Sequence, residues 1–261
     1  MRSLAAITID VEWAHPEVLD YVVRELDARN LRATFFCTHA GIDVGAHERG
    51  VHPNYRRHGN SLLEANPAML SSSDQSYYER ITEATMTFCP EAIGTRSHHL
   101  FWESGLASIC RRAGIRYTSN SLAPFARNAQ PVDIGNGLTE LPIYYMDHWD
   151  LAASATSFRV ADLRLETEGL KVLDFHPNLV FINARSLAHY DRSKRSYHEP
   201  SRLLEVRSAG RGIQTLFLET LDFLAVRSDH VFQMRDIAPA AINAAFARNA
   251  YLPKPASSCR R

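Results

Sequence analysis

The run ITIDVEW, Ile7 to Trp13, decides how this chain is read. Ala6, Ile7, Thr8 and Ile9 have the continuous apolar and β-branched character of a buried strand. Asp10 and Glu12 follow at period two, which predicts that both carboxylates project from one side of the strand end. A second run, AHERGVHPNY from Ala46 to Tyr55, comes after the apolar stretch Ala33 to Cys37 and gathers His47, Glu48 and His52 around Gly50. Two carboxylates and an imidazole on one rim could hold a divalent cation and leave one carboxylate free as a base.

Single Asp and His residues at strand ends are commonly turn caps. Here the pattern of apolar strand and ionisable tip recurs at GTRSHH (Gly94 to His99), LPIYYMDHWD (Leu141 to Asp150) and VLDFHPN (Val172 to Asn178). Five such ends imply one shared face. Between them lie helical periodicities: Pro16 opens a run with Val18, Leu19, Val22, Val23 and Leu26, Tyr77 to Phe88 stops at Cys89 and Pro90, and Glu103 to Ala113 stops at Gly114. Further helices are expected over Gly212 to Val226 and Ile237 to Asn249. Further strands are expected at Leu31 to Thr38, Ala92 to Arg96, Ile115 to Ser119, Leu138 to Met146, Lys171 to Phe175 and Val180 to Asn183. Repeated βα units give a barrel or an open parallel sheet, and both place ligands at the carboxyl ends of the strands.

With 261 residues, 45% hydrophobic and 22% charged, the chain has the size of one α/β domain, expected over residues 1–250 with a disordered tail at 251–261. Lys plus Arg and Asp plus Glu both number 29, so no global basic field argues for nucleic acid as a partner. No charged head followed by an apolar core opens the chain, and no apolar run approaches a membrane span. A cytoplasmic protein is expected. Cys37, Cys89, Cys110 and Cys259 have no metal-ligand spacing and fit reduced thiols. The polar, basic stretch Ser186 to Arg211 reads as a mobile loop, a lid or a contact for an anionic substrate.

In order and spacing these motifs resemble the polysaccharide deacetylases of the NodB homology group, carbohydrate esterase family 4, in the WbmS-like branch linked to bacterial O-antigen biosynthesis. ITIDVEW is similar to the first motif, with Asp-x-acidic replacing adjacent aspartates. HERGVHPNY is similar to the second, which in that branch reads HEIG-x-HPNF, and TRSHH, YYMDHWD and FHPN fall at the places of the others. The resemblance spans Ala5 to Asn183. It implies an irregular (β/α)7-type barrel and removal of an acetyl group from an N-acetylated sugar or polysaccharide precursor with a divalent metal, often zinc. Residue by residue it implies Asp10 as base, Arg96 as the arginine that holds it, and His176 as general acid. Glu12 and His52 become metal ligands. The family has a second histidine four residues after the first, where this chain has Arg56; His58, Asn54, His98 and His99 are the substitutes, with His98 or His99 favoured because their strand end should face the same rim, and His98 taken as the ligand. Trp13, Asn54, His99, Asp147 and Trp149 are the candidates for contact with the sugar, and Asp147 and Asp174 for orienting imidazoles. Two other functions stay open at this level: a metal-independent hydrolase of another C–N bond, and a catalytically silent carbohydrate binder.

Overall fold

The computed structural model describes residues 3–57, 60, 62 and 74–238. Its strands are β1 (Ser3–Asp10), β2 (Ala33–Cys37), β3 (Glu48–Val51), β4 (Gly94–Thr95), β5 (Tyr117–Thr118), β6 (Val132–Asp133), β7 (Thr139–Glu140), β8 (Ile143–Met146) and β9 (Gly169–Phe175). They form one sheet in the order β6-β7-β5-β4-β3-β2-β1-β9-β8, parallel throughout except for the β6–β7 hairpin. β7 and β8 stand near opposite ends of that order although only Leu141 and Pro142 separate them in sequence. One interrupted run therefore pairs with β5 through its first half and with β9 through its second, which curls the sheet back on itself into a barrel. Hydrogen bonds from Ile143 N to Ser121 O and from Ala123 N to Ile143 O, both 2.8 Å, stitch the seam. The sequence predicts one strand over Leu138 to Met146, but Pro142 lacks the N–H that would continue it.

Alternation along the strands sorts side chains between two cores. Ile7 and Ile9 of β1, Phe35 and Cys37 of β2, and Leu173 and Phe175 of β9 face outward. There they pack under α1 (Pro16–Asp27), through Val18, Leu19, Val22 and Leu26, and under α8 (Ile213–Ala225), through Leu216, Phe217 and Leu221. Ala6, Phe36, Tyr117, Leu141, Ile143, Leu170 and Val172 form the inner cluster, closed at the amino-terminal end of the strands by Met234, Ile237 and Ala238. Moving along β1 and β9 toward their carboxyl ends, the interior positions turn polar at Thr8, Asp10 and Asp174, all buried.

The other helices are α2 (Asp74–Met86), α3 (Ser104–Arg112), α4 (Asp147–Ala153), α5 (Pro177–Phe181), α6 (Leu187–Ser193) and α7 (Pro200–Glu205). Three of them correct the sequence reading. The expected strand over Val180 to Asn183 is instead the end of α5 and the turn after it: Pro177 takes the first helical position, and Leu179, Val180 and Phe181, with Ile182 at the cap, are apolar because every side of this short helix is buried. The expected loop Ser186 to Arg211 folds largely into α6 and α7, joined through a tight turn at Lys194–Ser196. Ser186 Oγ accepts from His189 N at 3.2 Å to cap α6, and Leu203 is the buried anchor of α7. Most of the helix expected over Ile237 to Asn249, the tail at 251–261, His58 and Cys259 lie outside the described residues. No described helix is long and apolar enough to cross a membrane.

Candidate active site

At the centre of the carboxyl-terminal rim is Arg96, which directly follows β4 and has no exposed surface. Its Nη1 donates to Thr8 Oγ1 at 2.9 Å, Asp10 Oδ1 at 2.9 Å and Asp174 Oδ1 at 2.5 Å. Nη2 donates to Ser119 Oγ at 2.9 Å and Nε to Ser119 O at 3.1 Å, while the guanidinium lies over the Phe36 ring, 4.5 Å from its centroid. A buried cation so surrounded is stable only with its anions, and removing one partner leaves uncompensated charge. Arg96→Leu is expected to cost about 3–5 kcal/mol of folding stability, read from urea unfolding against wild type.

Beyond β1 the chain leaves strand geometry. Glu12 and Trp13 adopt φ of 50° and 55°, a left-handed pair that L-residues avoid unless their surroundings impose it. Trp13 N donates to Thr38 Oγ1 at 3.1 Å and Tyr197 Oη donates to Glu12 O at 2.7 Å, so both sides of the turn are pinned. The turn separates the two carboxylates: Asp10 stays on Arg96, and Glu12 Oε1 reaches His52 Nε2 at 3.1 Å and His98 Nδ1 at 2.7 Å. Backbone bonds fix both imidazoles, His52 N to Cys37 O at 2.9 Å and His98 N to Pro53 O at 3.0 Å. Burial penalises the Glu12 charge, yet the two histidines outweigh it and hold the carboxyl well below its usual range. His52, conversely, is raised, because Asp10 and Glu12 overcome its burial.

Glu12, His52 and His98 each offer one ligand atom, all within 4.8 Å of one another. One carboxylate oxygen and two imidazole nitrogens converging from three loops is a donor set that suits zinc and similar divalent ions with an open position. Asp10, Asp174 and His176 also converge, but the Arg96 guanidinium occupies that cluster and would repel a second cation.

His176 follows β9 and is held by both oxygens of Asp147, the first residue of α4: its Nδ1 bonds Oδ1 at 2.6 Å and its backbone N donates to Oδ2 at 2.8 Å. Nε2 is left for the cavity. Burial alone would push this imidazole down, but the carboxylates of Asp147, then Asp174 and Asp10, raise it well above the ordinary value. Asp10, Glu12, His98 and His176 all line one cavity of about 480 Å³, with Leu122, Met146 and Trp149 as its apolar wall.

Other predicted residues divide. His99 and Trp149 line the cavity; His99 also bonds Arg56 through Nε2 at 2.9 Å. Trp13 stands edge-on to His98, its ring centroid 5.3 Å away, and braces that imidazole. Asn54 accepts from Arg56 N at 3.0 Å and serves its own turn, and Asp147 serves His176, so neither lines the cavity. His47 and Glu48 do not join His52: they stand at the opposite end of β3, with Glu48 bonded to Thr34 and Tyr117 inside the barrel. Thr8, Ser119, His148, Tyr190 and Tyr197 were not singled out from sequence. Thr8 was readable in principle, lying at period two before Asp10 on the same strand face.

The WbmS-like polysaccharide deacetylase family model matches residues 7–194. A polysaccharide deacetylase of Bordetella bronchiseptica, assigned to O-antigen biosynthesis, superposes with TM-score 0.70 at 24% identity, over 85% of this chain and 91% of its own. One from Mycobacterium smegmatis gives TM-score 0.56 at 16% identity, over 100% of this chain and 96% of its own. These two share the barrel. No curated protein sequence matches. The chain belongs to the WbmS-like polysaccharide deacetylase family.

Proposed function

We propose that the protein removes an acetyl group from an N-acetylated sugar in a surface polysaccharide precursor of the O-antigen kind, with assistance from a divalent cation, in the cytoplasm. The observation that carries this reading is the sharing of one cavity by a carboxylate fixed to an arginine, an imidazole fixed to a carboxylate, and Glu12 and His98 of a ligand set that His52 completes from behind.

Amide hydrolysis needs a base for water, a counter-charge for the tetrahedral oxyanion and a proton for the leaving amine. Arg96 fixes Oδ1 of Asp10, which leaves Oδ2 to accept the proton of the attacking water. Asp147 fixes Nδ1 of His176, which directs the proton on Nε2 to the amine nitrogen. Glu12, His52 and His98 would hold the cation, which supplies polarisation of the acetyl carbonyl and acidification of water. Trp149, Leu122 and Met146 offer the apolar surface against which a sugar ring and its acetyl methyl can pack.

Acetate release from N-acetylated sugars, free and nucleotide-linked, tests the reading, with and without prior chelation. Release that chelation abolishes supports it; no release from any of them counts against it. A second variant reads the acid. Because Asp147 raises His176, the wild type keeps its acid protonated above pH 6.5, the ordinary value of the imidazole. Asp147→Asn is expected to move the alkaline limb of kcat to lower pH and to lower kcat about 10²-fold at neutral pH.

A further inference from the structure

Asp174 is a carboxylate that the hydrolysis just described does not use. It stands two residues before His176 on β9, so its side chain shares the interior face, and it pairs in register with Thr8 of β1. Its exposure is 0%. Oδ1 takes Arg96 Nη1 at 2.5 Å and Thr8 Oγ1 at 3.1 Å, while Oδ2 is buried without a hydrogen-bond partner among the described residues. Arg96 Nη1 thus serves two carboxylates at once, Asp10 from β1 and Asp174 from β9. An apolar residue would fill this interior position at far lower desolvation cost, so a carboxylate here calls for a role in the site.

We propose that Asp174 is a positioning residue of the hydrolysis, anchoring Arg96 from the β9 side against Asp10 and, through its charge, holding the proton on His176. This rests on the deacetylase reading above. One atom each of Asp10, Asp174 and His176 lie within 4.8 Å of one another, so Asp174 is near both the base and the acid. Removal of Asp174 would leave Asp10 as the single carboxylate on Arg96 and would strip His176 of one of the anions that favour its charged form. The groups around Asp174 are Arg96 after β4, Asp10 from β1, His176 just past the end of its own strand, Tyr145 from β8 and Asp147 just after it. Tyr145 is raised by burial first and in part by Asp174 itself, so it is a neutral neighbour at physiological pH. Burial raises Asp174 to about 7, with Arg96 opposing and Asp10 adding to the effect, so its charge changes within the range where an enzyme can be assayed.

The test follows the His176 imidazole by ¹⁵N resonance against pH in wild type, Asp174→Asn and Asp174→Ser, each first shown to melt cooperatively. Acetate release is measured beside it. In the variants His176 is expected to lose its proton about one pH unit lower than in wild type. The alkaline limb of kcat should move with it, with kcat about 10-fold lower and KM within about 2-fold. An imidazole titration that coincides in wild type and whichever variant folds overturns the proposal, as does loss of kcat with an unmoved pH profile, which marks a merely structural carboxylate. The titration needs no substrate. Absence of acetate release from the wild type therefore counts against the deacetylase reading, while the resonance still reads the tie between Asp174 and His176.

Discussion

Asp10→Asn is expected to lower kcat/KM for acetate release by about 10²–10⁴-fold while leaving the fold and the bound metal in place. Asparagine keeps the planar shape and the Oδ1 acceptor that Arg96 Nη1 meets at 2.9 Å, so the guanidinium stays where it is. Arg96 also retains Thr8, Asp174 and Ser119, which leaves no uncompensated buried cation after the change. The metal set is spared too, because Asp10 approaches His52 Nδ1 only at 3.9 Å, beyond hydrogen-bond reach, and supplies no atom to the Glu12, His52 and His98 group. What the amide loses is the carboxylate oxygen that can accept the proton of the attacking water. Melting temperature and metal content should match wild type while turnover collapses. Wild-type turnover in this variant would remove Asp10 as the base.

That separation of roles was only half legible in the sequence. The strand status of β1, β2 and β9 follows from dense apolar and β-branched runs, and ionisable residues at their ends are visible without coordinates. Asp10 and His176 stand at two of these ends, and it is the family resemblance that groups them with Arg96, which follows the short β4. Which carboxylate serves which partner was not legible. Asp147 and Asp174 both read as candidates for orienting imidazoles, yet Asp147 holds His176 and Asp174 holds Arg96. The difference is set by register: Asp174 lies inside β9 opposite Thr8, deep under the rim, and Asp147 starts a helix above it. Asp10 and Glu12 do reach one cavity, as their period-two spacing predicts, but not by strand alternation: a left-handed turn at Glu12 and Trp13, pinned by the distant Thr38 and Tyr197, carries Glu12 to its own partners. Tyr197 belongs to the polar stretch that read as a loop; its few apolar anchors gave no helical period to detect.

Reconstitution with zinc should give one tightly held ion per chain in wild type, and elemental analysis should find it lost in Glu12→Gln and in His52→Ala. The geometry sets the expectation for each. Glu12 Oε1 is the atom both imidazoles meet, at 3.1 and 2.7 Å, so its conversion to an amide removes the one anionic ligand from the group. With no anion, two neutral imidazoles compete poorly with water for a divalent ion. His52→Ala leaves one carboxylate and one imidazole, a pair too few for the closed side of a tetrahedral site. Loss of the ion should cost more than either proton-transfer residue, because it removes carbonyl polarisation and the acidified water together. His98→Ala distinguishes this ligand set from the pattern with histidines four apart, whose second position here is Arg56. Loss of the ion on His98→Ala makes His98 the third ligand, while full retention would mean the ion sits elsewhere on the rim. Wild-type protein that takes up no zinc under conditions where it releases acetate would move the chemistry onto Asp10, Arg96 and His176 alone. Glu12 would then be an anion that tethers two loop histidines, 2% and 15% exposed at their side chains, and nothing more.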